Sequence, residues 1–165
     1  MTIAMNALNL VERRFVRLGI FLSLTGFLVV FEAPSQSLTI NGGNITMTIT
    51  TGSAGSEPIP IGNSTTSLRY RRTLWAQKIT VRTNCPGQSF NLTVVASNVT
   101  SGTAAPVVNL LQGMLDTNVI TNIAAGFFSF ATATLNYQAS ATFAQGNSAE
   151  LGDDVHTVTY TLTAQ

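Results

Sequence analysis

From Leu38 to Gln165 the apolar residues recur at every second position, a period that fits strands with one buried face and does not fit helices. Val158, Tyr160 and Leu162 alternate with Thr157, Thr159, Thr161 and Thr163. Phe90, Leu92, Val94 and Ala96 alternate with Asn91, Thr93 and Val95, and Ile45, Met47 and Ile49 with Thr46, Thr48 and Thr50. Threonine suits the outer face because a branched polar side chain sits well on a pleated surface in water. Asn41-Gly42-Gly43 reads as a hairpin turn between Leu38–Ile40 and Ile45–Ile49, and Thr51–Ser67, rich in Gly, Ser and Pro, as the longest loop. Leu68–Thr83 reads as strand, with Trp75, Gln77, Ile79 and Val81 on one face. Pro86-Gly87 is a turn, Asn98–Ala105 a polar loop, and Phe127–Phe143 a long alternating strand. The pattern predicts an all-β fold: an antiparallel β-sandwich of immunoglobulin-like or jelly-roll topology with seven to nine strands.

Residues 1–37 differ in kind. Arg13, Arg14 and Arg17 precede the uncharged run Leu18–Phe31, which is followed by Glu32-Ala33-Pro34-Ser35-Gln36-Ser37. As a helix at about 1.5 Å per residue this run reaches roughly 21 Å, short of a bilayer core of about 30 Å. A basic start, a short apolar stretch and a small-residue exit predict a hydrophobic signal helix, removed so that the mature chain begins between Gln36 and Leu38. The expected organisation is a signal peptide at 1–37 and a single β domain at 38–165. The protein is expected to be secreted or at the cell surface, touching membrane only through the signal segment during export.

Only 9% of the 165 residues are charged and the net charge is +1, which excludes the basic footprint of a nucleic-acid binder. In the exported part Arg69, Arg71, Arg72, Lys78 and Arg82 balance Glu57, Asp116, Glu150, Asp153 and Asp154. The single cysteine, Cys85, rules out an intrachain disulfide and reads as a half-buried strand-end thiol. The single histidine, His156, follows Asp153-Asp154 and reads as a rim residue at the start of the last strand. With no Gly-x-Ser-x-Gly elbow, no catalytic residue is expected. One His and one Cys cannot by themselves close a tetrahedral zinc site, so neither metal nor cofactor is expected. Gln145–Asp154 concentrates oxygen ligands but matches no EF-hand spacing, and reads as an acidic turn.

Two groups of residues stand out as contact candidates. Arg69, Tyr70, Arg71, Arg72 and Trp75 combine aromatic surface with positive charge, as a glycan-binding or protein-binding patch does. Val158, Tyr160 and Leu162 define a C-terminal strand without Lys, Pro or Gly to protect an edge, and so a candidate assembly strand. The leader, the Thr/Asn/Gly/Ala-rich β domain, Val81-Arg-Thr-Asn-Cys-Pro86 closing one strand and His156–Gln165 (HTVTYTLTAQ) together resemble bacterial pilin-type subunits and spore coat protein U-like domains. The resemblance implies a non-enzymatic structural or adhesive subunit of a surface layer or filament, partnered by itself or by another surface protein. A carbohydrate-binding β-sandwich module is the alternative. The chain departs from such subunits in its lone cysteine and in placing Tyr160, not an aromatic next to last, nearest its end.

Overall fold

In the computed structural model the described residues are 2–7, 36–49, 56–127, 129–142, 145 and 153–165. Their elements are all β-strands: β1 (Thr2–Ala7), β2 (Leu38–Asn41), β3 (Ile45–Thr48), β4 (Ile61–Arg71), β5 (Gln77–Asn84), β6 (Asn91–Ser97), β7 (Thr103–Ala104), β8 (Val108–Asn109), β9 (Thr117–Ile123), β10 (Phe130–Ser140) and β11 (Val155–Ala164). One sheet runs β3-β1-β11-β5-β9-β7 and the other β2-β4-β10-β6-β8. Every described pairing is antiparallel except β1 with β11, which is parallel.

Alternation decides which side chains go in. Leu92, Val94 and Ala96 of β6, Ala131, Ala133, Leu135, Tyr137 and Ala139 of β10, and Val158, Tyr160 and Leu162 of β11 are all buried in one hydrophobic cluster fed by both sheets. The two sheets also meet through a polar contact, the Tyr137 and Tyr160 hydroxyls lying 2.7 Å apart.

The hairpin expected across Asn41-Gly42-Gly43 does not form. β2 pairs with β4 in one sheet while β3 pairs with β1 in the other, so the chain changes sheets at these glycines. Gly42 (φ 127°) sits against Thr66, where an added Cβ would come within 2.9 Å of the Thr66 Cα. The expected loop Thr51–Ser67 is also shorter than its composition suggested, because Ile61–Ser67 belongs to β4 and pairs with β10 across an irregularity at Leu135/Tyr137. The expected strand Leu68–Thr83 is two strands, the chain crossing between sheets at 72–76. Trp75 therefore lies in the crossing and is 73% exposed, while Gln77, Ile79 and Val81 keep the inward face assigned to them. The strand total exceeds seven to nine because β1 lies in the segment read as a leader, and β7 and β8 have two residues each, too short to show a period. The expected signal helix falls on residues outside those described.

Candidate functional site

The arginine-rich segment ends β4, where inward Leu68 and Tyr70 alternate with outward Arg69 and Arg71. Tyr70 is fully buried and its hydroxyl donates to the Ser101 carbonyl. Burial raises its pKa against the opposing pull of that hydrogen bond and of the Arg72 charge. As a core residue Tyr70 offers no surface to a ligand, which corrects its assignment to the contact patch. Arg69 faces out, with its guanidinium 3.6 Å from the ring centroid of Phe130 on neighbouring β10. Cation–π contact of this kind fixes a long side chain against an aromatic face.

Arg72 is also structural. Its Nε–H donates to the Ala124 carbonyl at 3.0 Å, one Nη2–H to the Ala125 carbonyl at 2.9 Å, and Nη1–H to Ser129 Oγ at 3.4 Å. The guanidinium occupies the space a side chain at 126 would need, an added Cβ on Gly126 lying 2.7 Å from Arg72 Cζ. The Gly126 amide in turn donates to the Thr73 carbonyl at 2.7 Å. These bonds tie the 72–76 crossing to the 124–129 loop. Leu74, Trp75 and Phe127, exposed by 52%, 73% and 83%, are thereby carried on two joined loops. Phe130 escaped the sequence reading because the pairing of β4 with β10, not local spacing, brings it to Arg69, and Phe127 because its loop is tied to β4 through Arg72.

The second candidate, the C-terminal strand, lies inside its sheet. β11 pairs with β5 from Thr157↔Asn84 to Ala164↔Gln77, and on its other side with β1 from Ala4↔Val155 to Ala7↔Val158. Beyond Val158 no described strand continues that second ladder, so Thr159–Ala164 has a pairing strand on one side only among the described residues. Val158, Tyr160 and Leu162 face the core, with Tyr160 held by Tyr137. Burial pushes the Tyr137 phenol up to about 12 and Tyr160 well above its ordinary range. What β11 presents to a neighbour is therefore backbone and the half-buried Thr159, Thr161 and Thr163, while its apolar set anchors it from behind.

No protein-family model, curated protein or solved structure matches the chain.

Proposed function

We propose that the chain is an exported, non-enzymatic structural or adhesive subunit, a β-sandwich that acts through protein–protein contacts at the cell surface and adds a strand from a neighbouring copy to its sheet. The observation that carries this reading is the place of β1. Thr2–Ala7 lies between β3 and β11, and these residues fall within the segment read as an export signal. Removal of that segment leaves the backbone donors and acceptors of β3 and β11 facing one another across one strand's width. An extended segment from a second molecule then gains a hydrogen-bond ladder on both sides. The resemblance to pilin-type and spore coat protein U-like domains points the same way.

The test is made on material recovered outside the cell. Intact mass is expected to place the mature start between Gln36 and Leu38, and negative-stain imaging to show oligomers or filaments. A mass that retains residues 1–35, or a mature chain that stays monomeric at high concentration, overturns the proposal.

Glycan binding is a second reading, favoured by the exposure of Trp75 and Phe127 on loops joined through Arg72. Trp75 is the sole tryptophan, so its fluorescence reports this end alone. A saturable change on addition of oligosaccharides, lost in Phe127→Ala, supports that reading. A flat titration removes it.

A further inference from the structure

Where β5 and β11 end, the fold gathers chemistry that residue spacing did not reveal. The antiparallel register pairs Thr157 with Asn84 and Val158 with Thr83, and one step further sets His156 opposite Cys85. Asp154 and His156 share the inward phase of Val158, Tyr160 and Leu162. Neither the expected rim histidine nor the expected half-buried thiol is found: His156 is 0%, Cys85 1% and Asp154 4% exposed. Cys85 Sγ, a carboxylate oxygen of Asp154 and a ring nitrogen of His156 lie within 4.8 Å of one another.

The hydrogen bonds around the three groups all come from outside the trio. Asp154 accepts the Ser89 amide at 3.1 and 3.0 Å and the Phe90 amide at 2.8 Å, which holds the carboxylate beneath the Pro86-Gly87 turn. The Cys85 amide donates to Gln112 Oε1. His156 Nδ1 is 3.1 Å from Thr83 Oγ1, while its Nε2 is buried without a hydrogen-bond partner. A ligating imidazole has this arrangement, one nitrogen oriented by a neighbouring group and the other left for the metal, and a ligating carboxylate is likewise braced by outside donors.

We propose that Cys85, Asp154 and His156 bind a divalent zinc ion. Thiolate, imidazole and carboxylate together match a borderline-soft cation, and Zn²⁺ takes these donors at about 2.0–2.3 Å, which corresponds to ligand separations of roughly 3.5 Å. Rotamer changes of about an ångström bring the trio to that spacing. Binding replaces the thiol proton, which leaves to solvent, with a sulfur–zinc bond, and it engages the orphan His156 Nε2. One Asp154 oxygen is the third donor, and its second oxygen or a water completes the coordination. One His and one Cys alone do not close a zinc site, and the fold adds Asp154 as a third donor.

The experiment uses the purified full-length chain, stripped of metal and titrated with Co²⁺ and then Zn²⁺. One equivalent of Co²⁺ is expected to produce thiolate-to-cobalt charge-transfer absorption that Zn²⁺ abolishes. Zinc at about a hundredfold excess over Kd is expected to raise Tm by roughly 8 °C. Cys85→Ser is expected to lose the absorption and His156→Gln at least tenfold in zinc affinity. Should either variant fail to fold, alkylation of Cys85 in the wild type decides, because bound zinc slows it at least tenfold. Absent charge-transfer absorption, an unchanged alkylation rate, or an equal Tm rise in a folded Cys85→Ser variant overturns the proposal.

Discussion

Tyr137 and Tyr160 show at the residue scale how a polar pair can join two apolar faces. Each hydroxyl has the other as its partner inside the core, so removing one strands the other. Tyr160→Phe or Tyr137→Phe alone is expected to cost about 1–3 kcal/mol, and the double variant less than the sum of the two, because it leaves no unpaired hydroxyl. Urea melts of the four proteins in the cycle measure this. All three tyrosines carry raised pKa values, and desolvation is the leading cause in each. An unfolded phenol loses its proton near 10, whereas folded Tyr137 keeps it until about 12. The stability this contributes is complete below the unfolded value and is lost as pH rises through the folded one. Phenolate absorbance is expected to stay low at pH 10 while the chain is folded, then to rise steeply with unfolding. An ordinary phenolic titration centred at 10 in the folded protein counts against this burial.

At the scale of elements, Gly42 and Gly43 separate two demands that look alike in sequence. Both have positive φ, but only Gly42 presses on a neighbour, with Thr66 Cα and the Thr65 carbonyl near 3 Å from an added Cβ. Gly42→Ala is expected to cost about 2 kcal/mol or more, lowering Tm by roughly 5–8 °C, and Gly43→Ala about 1 kcal/mol. Thermal melts of the two variants distinguish them. For β11, Thr161→Lys places a charge on the stretch that has one neighbouring strand among the described residues. It is expected to shift Tm by no more than about 2 °C while lowering self-association in light scattering, since edge lysines oppose strand addition. A folded variant that assembles as the parent does counts against this edge as the contact. The inward faces of β6, β10 and β11 could be read from alternation because one side of each meets the core. Their allocation to sheets could not. Asn-Gly-Gly serves a hairpin and a sheet crossing equally well, and Trp75 shares the parity of Ile79 yet precedes the first residue of β5. The meeting of Cys85, Asp154 and His156 depends on the register between β5 and β11, which is tertiary information. One sign of it was nonetheless present, because His156 and Asp154 have the parity of Val158.

For the whole molecule, a single buried thiol means that no intrachain disulfide adds to packing and backbone pairing. Tm is expected to change by no more than about 1 °C with reductant, and oxidant is expected to give disulfide-linked dimers only once denaturant exposes Cys85; non-reducing electrophoresis shows both. Dimers formed by the native protein would mean that the β5 end opens readily. The pairing of Ala4 with Val155 has a consequence in time. Because β11 stands between β1 and β5, the strands on its two sides have no common neighbour until Val155–Ala164 has been made. At about 5–20 residues per second, synthesis leaves an interval on the order of ten seconds in which this sheet cannot close. During that interval the edge of β5 that β11 later covers stays open, while the sheet of β2, β4, β10, β6 and β8 has no such wait for β11.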